Sequence, residues 1–153
     1  MMETASDLLS ASPLYQTAVL DFWKDYHEKT ALMEGLQLSV QAHPALQFGN
    51  HYWRSISENG IEFSTPNAGI NHFNDVIAWS RIFNGTEVLC AINLHPHKQA
   101  VVYVTIDEHL HGTGSKMKLL YGSGSVPEEL NVEDRNGKSI RLTLPTRALV
   151  IYG

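Results

Sequence analysis

The chain carries eight histidines among its 153 residues. Two pairs of them, His95-Pro96-His97 and His109-Leu110-His111, have the spacing that puts both imidazoles on one face of a strand. Neutral imidazole is a common zinc ligand, so the spacing invites a metal reading. A cupin-type site needs a glutamate a few residues beyond such a pair. After His97 comes Lys98-Gln99-Ala100-Val101, and after His111 comes GTGSKMK, so neither pair has that ligand. Cys90 is the single cysteine, and it offers neither a second thiol for a metal nor an internal disulfide. The histidines therefore read as turn and loop residues in water, and neither a metal nor another cofactor is expected.

Other groupings give way in the same manner. Asp21 and Asp25 lie one helical turn apart on a polar face, and Glu128-Glu129 falls in a loop, so both pairs read as solvated charge. Gly112-Thr113-Gly114 and Gly122-Ser123-Gly124 lack the Lys-Ser/Thr of a phosphate loop. Asn84-Gly85-Thr86 matches a glycosylation sequon, but Asn-Gly is also the pair that most easily takes the positive φ angles of a tight hairpin. Among the aromatic residues Tyr52, Trp53, Trp79 and Tyr103, flat rings suited to stacking on sugars, Trp53 and Tyr52 are the candidate carbohydrate contacts. Trp79 reads as core.

The elements that would position these residues follow from periodicity. Residues 76–94, VIAWSRIFNGTEVLCAINL, are two apolar runs joined at Asn84-Gly85, the pattern of an antiparallel hairpin. In its second arm Val88, Cys90, Ile92 and Leu94 fall on one face and Leu89 and Ala91 on the other, so the hairpin belongs at the centre of a sandwich. Residues 1–11 are expected to fray. Ser12-Pro13 reads as a helix start, and Leu14, Ala18, Phe22 and Tyr26 at spacings of four, with Tyr15, Val19 and Trp23 beside them, give an apolar stripe. A second helical run passes through Leu32, Leu36 and Val40 and stops before Pro44; one bent helix or two both satisfy the pattern.

From Phe48 onward about eight short strands are expected. They cover 52–56, 61–63, the two hairpin arms, 99–106 as a second doubly apolar strand, 117–121, 138–144 and 147–152, with loops over 65–75, 109–115 and 122–129. Within 138–144, Ile140, Leu142 and Leu144 face in while Ser139, Arg141 and Thr143 face out. The fold class expected is mainly β, an antiparallel Greek-key β-sandwich behind an N-terminal α-helical segment. Residues 1–47 form the helical part and 48–153 the β domain.

The net charge of −5 gives no basic footprint for nucleic acid or an anionic membrane. The acidic start MMETASDLLSASP lacks the marks of a signal peptide, and no run is long and apolar enough to span a bilayer, so a cytoplasmic location is expected.

With the order helix, His43-Pro44-Ala45-Leu46, then strands, the sequence resembles the C-terminal end of the α-amylase superfamily of glycoside hydrolases. PALQFGNHYWR (44–54) resembles the passage from the last helix of a (β/α)8 barrel into an all-β C-terminal domain. VIAWSRIFNGTEVLCAINLHP (76–96) is similar to that domain's first long hairpin, in which an Ala-Trp/Phe-x-Arg arm precedes an acidic residue and a run ending in Asn. LPTRALVIYG (144–153) is similar to its last strand. The resemblance covers residues 31–153.

What it implies is a non-catalytic module. Family members carry their nucleophile in Arg-x-Asp and a stabilising carboxylate in Asn-His-Asp. No arginine of this chain is followed two places on by Asp, and Asn50-His51 and Asn71-His72 continue with Tyr52 and Phe73. Retaining hydrolysis needs two carboxyls about 5 Å apart across the sugar, so the chain alone is expected to be inactive. Its implied role is to stabilise or shield a barrel, present in cis or as a partner subunit, with possible polysaccharide contact. The alternative is a stand-alone carbohydrate-binding module for α-glucans. The stripe of Leu14, Phe22, Trp23 and Leu36 needs cover, so a homo-oligomer through the N-terminal helices is expected as well.

Overall fold

A computed structural model describes residues 13–64 and 76–153, the side chains of 13–18 excepted. The expected Ser12 cap, the side chains of Leu14, Tyr15 and Ala18, and the loop over 65–75 with Asn71-His72 lie outside the described residues.

Among the described residues three helices come first: α1 (Pro13–His27), α2 (Thr30–Ala42) and α3 (Pro44–Phe48). Val19, Phe22, Trp23 and Tyr26 keep the i, i+3, i+4, i+7 spacing and are all buried. Helix α1 ends in tight turns, Glu28 N to Asp25 O and Lys29 N to Tyr26 O, so the helical region is two helices rather than one bent one. Helix α2 ends because His43 precedes a proline, which excludes the α conformation; His43 is extended, with φ −125° and ψ 104°. Pro44 then opens α3, where its missing N–H is no loss. Gly49 carries the chain from α3 into the first strand against β-sheet backbone, and a Cβ there would lie 2.4 Å from the Ala45 carbonyl oxygen.

Nine strands follow among the described residues: β1 (Asn50–Trp53), β2 (Ile56–Ser57), β3 (Val76–Phe83), β4 (Thr86–Asn93), β5 (Ala100–Ile106), β6 (Lys116–Gly122), β7 (Glu129–Asn131), β8 (Lys138–Leu144) and β9 (Leu149–Tyr152). They form a six-stranded sheet in the order β1-β3-β4-β9-β6-β7 and a three-stranded sheet in the order β2-β5-β8. Every pairing is antiparallel. The fold is mainly β, as expected. The hairpin turns at Asn84-Gly85 and pairs Val76 with Asn93 through Phe83 with Thr86.

Side-chain alternation then builds two cores on the larger sheet. One face presents Val76, Ala78, Leu89, Ala91, Val150 and Tyr152 to Val102, Val104, Ile140 and Leu142 of the smaller sheet. The other presents Ile77, Trp79, Val88, Cys90, Ile92 and Ile151 to Phe22, Trp23, Tyr26, Leu36 and Leu46 of the helices. The hairpin is thus central, with helices as one of its two covers. Phe22, Trp23 and Leu36 lie against the chain's own sheet, so these three residues of the stripe expected to drive a homo-oligomer are already covered. Arg147, at φ 55°, fastens this layer: its guanidinium binds Asp25 Oδ2 at 2.8 Å and Leu94 O at 3.2 Å.

Smaller expectations shift. Residues 61–63 form no strand; Ser64 makes a lone bridge with Ile56. Strand β7 begins at Glu129, the last residue of the expected loop over 122–129. Strand β5 is apolar on both faces but covered on one, with Val101 and Tyr103 on its open side. Ser139 is buried although it alternates with the inward residues of β8.

Asn93, fully buried at the end of β4, clamps the two sheets at one end. Its Nδ2 donates to the carbonyls of Lys98 (2.9 Å), Leu144 (3.1 Å) and Pro145 (3.2 Å), and its Oδ1 accepts the His95 amide (3.0 Å). Asn93→Ala strands these groups away from water and is expected to destabilise the fold by about 2–3 kcal/mol. The check is a lower denaturant midpoint at unchanged slope.

Candidate functional site

The two residues named for carbohydrate contact sit side by side on edge strand β1 and point to opposite faces of the sheet. Tyr52 pairs with Ser80 and Trp53 with Trp79. Tyr52 is 43% exposed, with the Arg54 guanidinium 5.6 Å from its ring centre. Trp53 is half-buried, 4.6 Å from the His51 ring and 6.4 Å from Trp79. The structure therefore does not bring Tyr52 and Trp53 into one platform. Trp79 is wholly buried, as a core residue should be. Tyr103 is covered by the Arg135 guanidinium at 4.7 Å, which leaves little flat surface for a sugar.

The histidines part ways. His95 Nδ1 accepts the amides of His97 and Lys98, both at 3.0 Å, which makes it a turn residue. His109 is exposed beside Glu108. His111, expected in water, instead turns inward to the buried end of β4. Among the described residues no group of three or more His, Cys, Asp or Glu side chains is arranged to hold a metal ion.

That end of β4 holds the most concentrated polar chemistry of the described chain. The side chain of Glu87 is fully buried between the sheets. Its Oε2 accepts from Arg54 Nη2 at 2.8 Å and from the Ser80 hydroxyl at 2.5 Å, while Arg54 Nε also donates to Ser80 Oγ at 2.8 Å. The Asp107 amide donates to Oε1 and Oε2 at 3.0 and 3.2 Å, and His111 Nε2 lies 2.6 Å from Oε1. The carboxylate has no proton to offer, so that nitrogen carries it. Asp107 Oδ1 in turn receives the amides of His109 and Leu110, holding the loop that delivers His111.

Burial on its own pushes the Glu87 carboxyl up. The bonds from His111 and Ser80, the charge of Arg54 and the Asp107 amide together outweigh burial and hold the carboxyl below its ordinary value. Such a group is a poor general acid. Serine, carboxylate and histidine are all present, yet Ser80 donates to the carboxylate and not to the imidazole, the wrong order for an activated nucleophile. The cluster is a clamp between the sheets. Cys90 offers no nucleophile either, because burial pushes its thiol up to about 12.

Sequence reasoning weighs His111 only as a metal ligand and sets it in water, and it gives Glu87, the acidic residue of the hairpin motif, no role. The signal available was a charged residue two places after the hairpin's glycine, within a strand whose middle is apolar on both faces.

Three solved enzymes share an outline with the chain. They are a debranching enzyme from Nostoc punctiforme (23% identical, TM-score 0.48, covering 74% of this chain and 18% of that one), an α-amylase from H. orenii (16%, 0.42, 74% and 17%) and CldA, a cyclomaltodextrin glucanotransferase with a three-domain ABC distribution (23%, 0.44, 73% and 19%). The chain spans less than a fifth of each of these proteins. No protein-family model and no curated protein matches it.

Glu87→Gln is expected to lower stability by about 3 kcal/mol at neutral pH, because Arg54 keeps a buried charge without its counter-ion. The folded-state pKa of Glu87 lies below the unfolded one, so its contribution is complete above the ordinary carboxylate pKa and fades as pH falls through and below it. Denaturation curves of wild type and variant should therefore converge in acid. A constant gap down to the acid limit would show that Glu87 acts through shape alone.

Proposed function

We propose that the chain is a non-catalytic C-terminal β-sandwich module of an α-amylase-type glycosidase, whose role is to stabilise or shield a catalytic barrel. The sequence motifs support the family. The observation that carries the role is the helical layer: its inner side is sealed on the chain's own sheet, yet it still exposes Leu20 (47%), Leu38 (67%) and Phe48 (64%). Three large apolar side chains exposed among charged ones give that layer points of contact for a neighbouring body. Catalysis by the chain itself finds no support in its carboxylates. Glu87 is the one carboxylate buried among the described residues, and four donors already occupy it.

On this reading the purified chain releases no reducing sugar from starch, pullulan or maltooligosaccharides. Leu20→Ser with Leu38→Ser should leave its unfolding midpoint nearly unchanged while weakening its association with the barrel in the intact protein. Hydrolysis that tracks with a carboxylate of this chain would overturn the proposal.

A second reading, a stand-alone carbohydrate-binding module for α-glucans, draws on the exposed ring of Tyr52 beside Arg54. Saturable binding of maltoheptaose, lost in Tyr52→Ala or Trp53→Ala with the fold intact, would establish that reading.

A further inference from the structure

The tip of the central hairpin carries a reactive peptide unit that the module's role leaves unused. The chain has three Asn-Gly pairs: Asn59-Gly60, Asn84-Gly85 and Asn136-Gly137. In such a pair the deprotonated glycine nitrogen can attack the asparagine side-chain carbonyl carbon. A new N–Cγ bond closes a five-membered succinimide, the Cγ–Nδ2 bond breaks, and ammonia leaves with the proton. Water then opens the ring at either carbonyl, giving aspartate or isoaspartate. Solvent water is the only co-reactant. The reaction needs a carboxamide free to swing, a glycine nitrogen without a hydrogen-bond acceptor, and room around both.

Asn84 and Asn136 share one backbone setting, each at φ 50° with a following glycine at positive φ. Their surroundings differ. Asn84 and Gly85 are both exposed, and neither the Asn84 carboxamide nor the Gly85 amide has a hydrogen-bond partner among the described residues. Nothing lies within 4 Å of where a Cβ on Gly85 would be. Asn136 instead donates to Thr105 Oγ1 at 3.3 Å. The Glu108 carboxylate lies 2.9 Å from the corresponding position on Gly137, where its charge opposes the anion that the nitrogen must become.

Asn59 is locked at both reacting groups. Its Oδ1 accepts from Ser57 Oγ and from the amides of Ile61 and Glu62 at 2.8–2.9 Å, its Nδ2 donates to Glu62, and the Gly60 amide donates to Ser57 Oγ at 2.8 Å.

We infer that, of the three Asn-Gly pairs, Asn84-Gly85 is the site of spontaneous conversion to isoaspartate, ahead of Asn136 and well ahead of Asn59. The product routes the backbone through an extra methylene inside a two-residue turn. That strains the Phe83–Thr86 closure and the neighbouring Ile82–Glu87 pair. The expected consequence is a looser clamp at Glu87.

The test incubates the folded chain at mildly alkaline pH. Isoaspartate is followed by methyl transfer from an isoaspartyl methyltransferase and located by mass spectrometry of the digest. Conversion at Asn84 should run several-fold faster than at Asn136 and faster again than at Asn59, while all three should react at similar rates in the urea-unfolded chain. Asn84→Gly keeps a residue tolerant of positive φ and should remove most of the label without lowering the unfolding midpoint much. Equal rates in the folded chain, earlier reaction at Asn136 or Asn59, or the same ranking after unfolding would each overturn the inference.

Discussion

Strand β4 is buried from Glu87 to Asn93, and its needs set the rest. Its backbone is paired on both sides, by β3 and β9. Its side chains are apolar on both faces through most of its length, so each face requires a separate cover. The smaller sheet covers one and the helices cover the other. Taking away either layer would return a row of buried aliphatic side chains, with Trp79 on the helix side, to solvent. The helices and the larger sheet share one continuous core, so burial of apolar surface, the main stabilising term of folding, couples the helical part to the β part.

Apolar side chains alone would leave the alignment of the sheets loosely specified, because Leu and Ala slide past one another at small penalty. The face of β4 turned toward the smaller sheet reads Glu87, Leu89, Ala91, Asn93, with apolar residues in the middle and a polar clamp at each end. Glu87 reaches the backbone just past β5, and Asn93 reaches the backbone past β8 and before β5. A slip of one residue would move both side chains to the helix face, away from every partner. Buried polar groups are severe about geometry because an unmade bond there has no water to replace it.

Much of this was legible in the sequence, and the exceptions share a cause. Asn-Gly located the hairpin, and the alternation in 88–94 assigned each side chain to the correct face. Trp79 and Cys90 were recognisable as core. What a sequence does not carry is the identity of the cover. Phe22, Trp23 and Leu36 show that a surface must be buried, and a second copy of the chain satisfies that requirement as well as the chain's own sheet does. Strand β5 has the same defect in reverse: apolar residues on both faces, with only one face covered. His111 lies 24 positions from Glu87, and no local pattern marks so distant a contact. Tyr52 and Trp53 are a different matter, since adjacent residues of a strand point to opposite faces and their separation followed from period two alone.

The polar groups buried with β4 are given over to holding the fold together. Charged and hydrogen-bonding groups that elsewhere make active sites are here turned inward and saturated: the carboxylate of Glu87 by four donors, the amide of Asn93 by three carbonyls and one amide. An active site needs the opposite, groups held in place with one valence left for substrate. The Tyr26 and Tyr121 hydroxyls follow the same rule, bonded to each other across helix and sheet, with burial the first cause that raises both above their ordinary values. Among the described residues the helices present Leu20, Leu38 and Phe48 outward among charged side chains. The two clamps hold the larger sheet in register beneath the helices, so the positions of those side chains follow from the burial of β4.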